Sequence, residues 1–134
     1  MEKTMVIIKP DAMERKLIGQ IISAYEKKGL YIKAIKIIKP TVGLAEEHYA
    51  EHREKPFFRE VVDSISRSEV CVILIEGDNA ISQVRSVNGA TDPRAAEPGT
   101  IRALFGVSKT ENTVHASDSA ESAEREIKLW FPEL

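Results

Sequence analysis

Val70-Cys71-Val72-Ile73-Leu74-Ile75 is the longest aliphatic run in the chain, and its two valines and two isoleucines make it the clearest core strand. The turn Gly77-Asp78-Asn79 closes it and supplies two candidate N-caps for the next helix. At six residues, the run is far short of the ~20 that span a bilayer. Upstream, Met5-Val6-Ile7-Ile8 reads as a second buried strand stopped by Pro10. From Arg15 to Lys28, apolar residues at Leu17, Ile18, Ile21, Ile22 and Tyr25 have helical spacing, and Gly29 stands where a left-handed cap belongs. Leu30–Lys39 has lysines at 33, 36 and 39, but its four isoleucines favour a strand. Leu44–Arg53 reads as a helix, and Pro56 as the first position of another with an apolar face at Phe57, Val61, Val62 and Ile65.

Downstream of the strand, Ile81, Val84 and Val87 mark a short helix ended by Gly89. Ala90–Thr113 carries Pro93, Pro98, Gly99 and Gly106 without periodicity, a length at which loops tend to be functional. Thr113-Val114-His115 then reads as a strand end. A helix comes next, capped by Asp118 or Ser119, with Ala120, Ala123, Ile127 and Trp130 on one face. The order β-α-β-α-α-β-α-loop-β-α reduces to a ferredoxin-like βαββαβ sandwich of the α+β kind, a four-stranded antiparallel sheet with helices on its faces.

The whole chain of 134 residues, 1–134, is expected to be a single domain with a core that needs no covalent staple. Nineteen Lys+Arg against 21 Asp+Glu leave a formal net charge of -2. That balance argues against a dedicated nucleic-acid or membrane-surface binder. Cys71 is the only cysteine, so no intramolecular disulfide can form. No signal-peptide core precedes the first strand, and a cytoplasmic protein is expected.

No G-x-x-x-x-G-K-[ST] or G-x-G-x-x-G occurs, which removes Walker-type and Rossmann nucleotide sites. His48-Tyr49-Ala50-Glu51-His52 matches the H-x-x-E-H pattern of inverted zinc peptidases; on a helix both histidines would share a face, with Glu51 as base. The competing reading is a solvated helix face, since most neighbours are charged. The more informative segment is Asn112-Thr113-Val114-His115-Ala116-Ser117-Asp118-Ser119. A neutral imidazole is a nucleophile near pH 7, and a helix N-terminus beyond it favours incoming negative charge. Arg85, Thr91 and Arg102 are groups suited to phosphate oxygens, arginine through its planar fork. Phe57 or Phe58, after Pro56, could stack on a flat base.

Five stretches resemble the nucleoside diphosphate kinase family in order and spacing: Ile8–Ala12, His48–Phe58, Gly89–Pro93, Pro98–Arg102 and Asn112–Ser119. The resemblance runs from Ile8 to Trp130. It implies a ping-pong transfer in which His115 takes the γ-phosphate of a nucleoside triphosphate, usually ATP with Mg²⁺, and passes it to nucleoside or deoxynucleoside diphosphates. It places Arg85, Thr91 and Arg102 on the phosphates, Lys9 and Asn112 on the sugar hydroxyls, Tyr49 beside the histidine and Phe57 on the base. Glu126 would orient the His115 ring with support from Ser117, and Mg²⁺ would be held mainly by the nucleotide phosphates rather than by protein ligands. The long loop would shape the site and subunit contacts of a homo-oligomer, tetramer or hexamer, that needs neither nucleic acid nor membrane. Three single positions and one segment depart from common family residues: Ala116 and Lys16 for glycine, Lys109 for an apolar wall of the base slot, and Ser66–Glu69 for a Ser-Gly-Pro turn. A non-catalytic nucleotide-binding sensor on the same fold is the alternative.

Overall fold

The computed structural model describes residues 1–134. Four strands, β1 (Glu2–Ile8), β2 (Tyr31–Ile38), β3 (Val70–Gly77) and β4 (Val114–Ala116), form one antiparallel sheet in the order β2-β3-β1-β4. Successive strand side chains point to opposite faces, so the aliphatic run of β3 feeds two cores. Cys71, Ile73 and Ile75 join Val6 and Ile8 beneath α2 (Ile18–Lys27) and α5 (Ala80–Asn88). Val70, Val72 and Leu74 join Met5 and Ile7 beneath α3 (Val42–His48), α4 (Phe58–Ser66) and α7 (Ala120–Trp130). The ferredoxin-like expectation holds, with α3 and α4 added in the β2-to-β3 connection.

Several boundaries differ from the sequence reading. Pro10 does more than end β1. It opens a short helix, α1 (Pro10–Glu14), at a position where its missing N–H has no helical partner. Pro56 precedes α4, inside a turn closed by the Phe58 N–H donating to the Lys55 carbonyl at 3.1 Å. Neither Asp78 nor Asn79 caps α5. Asn79 lies in the left-handed region (φ 53°) without a side-chain cap bond, and the Glu2 carboxylate accepts the Ile81 N–H at 2.8 Å instead. Helix α7 is capped by Ser119, whose Oγ accepts the Ser122 N–H at 3.1 Å.

The loop after α5 is more ordered than its composition suggests. It holds a 3-10 turn at Pro93–Ala95 and a short helix, α6 (Ile101–Phe105), capped by Thr100. Gly89 is the hinge residue at its start, with φ 87° and no room for a Cβ, which would lie 2.5 Å from Thr100 Oγ1. Both backbone and packing therefore require glycine. Gly89→Ala is expected to lower stability by about 1–3 kcal/mol, read from the denaturant midpoint. An unchanged midpoint would mean that this segment can be rebuilt without cost.

Candidate active site

Antiparallel pairing sets Ile7 of β1 opposite His115 of β4. Since Ile7 faces the α3/α4/α7 core, the alternation of β4 turns His115 to that face while Val114 and Ala116 enter the other core. There the ring meets a carboxylate on the inward side of α7: His115 Nε2 lies 2.8 Å from Glu126 Oε1, and Ser117 Oγ–H donates to the same oxygen at 2.8 Å. Ser117 is fully buried and Glu126 is 7% exposed, whereas the His115 side chain keeps 22% of its surface open. With Nε2 engaged by a carboxylate, the proton resides on Nε2 and the lone pair on Nδ1.

His115 lies in the wall of a cleft of about 760 Å³. The cleft also collects Lys9, Tyr49, Arg85, Thr91, Arg102 and Asn112 from six separate segments. Lys9 lies between β1 and α1 and donates from Nζ to Asn112 Oδ1 at 2.8 Å and to the Thr110 carbonyl at 3.2 Å. Burial, reinforced by the nearby Arg102 charge, lowers its pKa to about 8. Asn112 Nδ2 donates in turn to the Thr91 carbonyl at 3.1 Å, which ties the loop to the strand end. Arg85 is exposed at the cleft mouth, 3.5 Å from the Ala116 carbonyl. Phe57 is 42% exposed and lines the cleft together with Val61 and Lys109.

The ring packed against His115 is that of His48, with centroids 4.4 Å apart; Tyr49 packs on His48 at 4.7 Å and lines the same cleft. This arrangement removes the zinc reading of His48, Glu51 and His52. Helix α3 ends at His48, and Glu51 and His52 follow on a separate 3-10 turn, Ala50–His52. The three groups that do approach one another, with ligand atoms within 4.8 Å, are His48, His115 and Glu126.

Two further residues had no role in the sequence reading. Thr113 has φ 77°, a strained value for a β-branched residue. Asp11 Oδ2 accepts its N–H at 3.1 Å, and the Lys9 N–H donates to its carbonyl at 2.9 Å. The strain is thus held from both sides immediately before β4. Nothing in the sequence around Asp11 signals this contact, because it joins residues about a hundred positions apart.

Arg102 differs from its expected character as a loop arginine. It sits on α6, only 8% exposed, and donates to three carbonyls: Gly89 at 2.8 Å, Val114 at 2.7 Å and Asn112 at 3.3 Å. A guanidinium has five N–H donors, so two remain for an anion in the cleft. Arg102→Ala is expected to cost activity and also about 2–4 kcal/mol of stability, because buried carbonyls lose their donor. Unfolding by denaturant is the check. A midpoint equal to wild type would reduce Arg102 to ligand binding alone.

Comparison with known proteins identifies the family. A sequence model of the family described as nucleoside diphosphate kinase matches residues 2–134. A Clostridium perfringens protein named nucleoside diphosphate kinase is 54% identical over 134 residues, covering 100% of this chain and 94% of its own length. A Pyrococcus abyssi protein of the same name is 59% identical, over 97% of this chain and 84% of its own. Among solved structures, the Encephalitozoon cuniculi nucleoside diphosphate kinase superposes with a TM-score of 0.96 at 44% identity, covering 98% of this chain and 89% of that one. A family protein from Babesia bovis gives 0.95 at 47% identity, covering 99% and 90%. On these matches, and over essentially its full length, the chain belongs to the nucleoside diphosphate kinase family.

Proposed function

We propose that the enzyme moves a γ-phosphate from a nucleoside triphosphate, usually ATP, to a nucleoside or deoxynucleoside diphosphate in two half-reactions through a phosphohistidine at His115. The observation that carries this reading is the free Nδ1 of a ring held through Nε2 by Glu126. In the first half-reaction the Nδ1 lone pair attacks the γ-phosphorus, an N–P bond forms, and the bond to the bridging oxygen breaks. Its electron pair leaves on the nucleoside diphosphate. The imidazole is then cationic, with its Nε2 proton retained, and the Glu126 carboxylate balances that charge. In the second half-reaction a β-phosphate oxygen of another diphosphate attacks, and the N–P pair returns to Nδ1. A sensor would need the cations without such a nucleophile, and is not favoured.

Arg85, Thr91 and Arg102 would bind phosphate oxygens and meet the charge that spreads over them in the transition state. Lys9 and Asn112, bonded to each other, would present donors to the sugar hydroxyls. Phe57 offers a stacking face to any base, and base stacking is worth roughly 1–3 kcal/mol. Mg²⁺, held mainly by the nucleotide phosphates rather than by protein side chains, would supply charge neutralisation on the transferring group. The donor set fits that arrangement: the His48, His115 and Glu126 group is rich in nitrogen, whereas Mg²⁺ prefers oxygen.

A homo-oligomer, tetramer or hexamer, is supported by strand β2, whose free edge carries Tyr31, Ile35 and Ile37 about half exposed. An uncovered apolar edge of that kind favours association. No helix is long and apolar enough to cross a membrane, and a cytoplasmic location is consistent with that.

Incubation with γ-labelled ATP alone is expected to label the protein, with the label lost in acid and stable in base. His115→Ala is expected to abolish labelling and turnover together. Label that persists in the variant, or resists acid, would move the nucleophile to a serine such as Ser117.

A further inference from the structure

His48 has no task in the phosphoryl transfer at His115, yet the structure treats it unusually. Its side chain is 4% exposed, it lines the cleft beside His115, and Trp130 Nε1–H donates to its Nδ1 at 3.0 Å. The other ring nitrogen, Nε2, is buried with no hydrogen-bond partner. Indole N–H groups can only donate, so Nδ1 must carry a lone pair and the ring proton must sit on Nε2. Burial, with the His115 ring adding to it, holds the His48 pKa well below that of an ordinary histidine, so the ring stays neutral. His48 is therefore locked in one tautomer, as an unanswered donor next to the nucleophile.

The tautomer decides between two readings of the His48, His115 and Glu126 cluster. A metal ion at Nε2 would need that nitrogen's lone pair and would drive the proton to Nδ1, against the Trp130 N–H. A donor reading needs no such rearrangement. Its partner must come from outside the protein, since no protein acceptor bonds the buried Nε2. Leaving a buried N–H unpaired is unfavourable. That cost is relieved only when an acceptor arrives, which is the condition for stabilising a bound state over the empty one.

We propose that His48 is a second working histidine of this site, donating its Nε2–H to a phosphoryl oxygen during transfer to and from His115. The His48 proton is not transferred; it stays on Nε2 while the N–P bond at His115 forms and breaks. The proposal rests on the phosphohistidine reading. It gives the site a further uncharged donor to the transferring group, additional to Arg85, Thr91 and Arg102.

Two substitutions separate the two ends of the ring. In His48→Asn the amide oxygen falls where Nδ1 was and can still accept from Trp130, but nothing reaches the Nε2 position. In His48→Gln the amide nitrogen reaches the Nε2 position, while the acceptor for Trp130 is lost. Single-turnover labelling by γ-labelled ATP and the melting midpoint are measured for both. Asn is expected to keep the midpoint and label about 10²–10³-fold more slowly, the loss typical of one preorganised donor, at little change in nucleotide KM. Gln is expected to recover most of that rate at a lower midpoint. A fast Asn variant beside a slow Gln variant would make His48 a packing partner of Trp130 and overturn the proposal. Failure of the wild-type protein to label would instead strike the phosphohistidine reading itself.

Discussion

One carboxylate oxygen organises the site. Glu126 Oε1 takes the Ser117 hydroxyl and the His115 Nε2–H together, each at 2.8 Å, in the buried seam between β4 and α7. A buried carboxylate is tolerable only when such donors satisfy it. It fixes the ring plane, the tautomer and the nitrogen left for chemistry. Everything that holds α7 against the sheet therefore bears on the nucleophile. Trp130 and Phe131 sit in the second core, and the Ser119 cap sets where the helix begins. Glu126 lies one turn before Trp130, so the packing that buries the tryptophan also aims the carboxylate.

The two faces of the sheet divide the work. The α2/α5 face is mostly packing, but it also carries Arg102, whose three carbonyl contacts join the end of α5, the loop before β4 and β4 itself. The opposite face carries His115, Glu126 and His48. Lys9 and Asn112 close the gap between them, and Thr113 is held in a strained conformation by Asp11 and Lys9 at the entrance to β4. Strain of that kind persists only where surrounding contacts over-determine it, and here they converge from the first and last parts of the chain. The entrance to the strand that carries the nucleophile is thus positioned by contacts of very long sequence separation.

Those long separations decide which parts were legible in the sequence. The β3 run, the β1 run and the amphipathic α7 are local patterns of burial, and the structure reproduces them as strands and helix. His115 and Glu126 stood out through a specific signature and a family resemblance, and their approach is then set by strand alternation against helical spacing. Less was legible where long-range contacts override local chemistry. Asn79 looked like a cap, but Glu2 from the far end of the chain fills that place. Arg102 looked like a loop charge because nothing local reveals the three carbonyls that surround it. The H-x-x-E-H pattern reads as a solvated helix face or a zinc site, yet α3 ends at its first histidine and turns that ring inward toward Trp130. In each case the residue type was informative and its partner was not.

The central claim is that Glu126 commits His115 Nε2 to a hydrogen bond and leaves Nδ1 to carry the phosphoryl group. The measurement that meets it most directly is NMR of the phosphoenzyme made with ¹⁵N-labelled histidine. Coupling of ³¹P to Nδ1 of His115, with Nε2 still protonated, is the predicted result. Coupling to Nε2 would contradict the account, because it would require Glu126 to release the ring before chemistry begins.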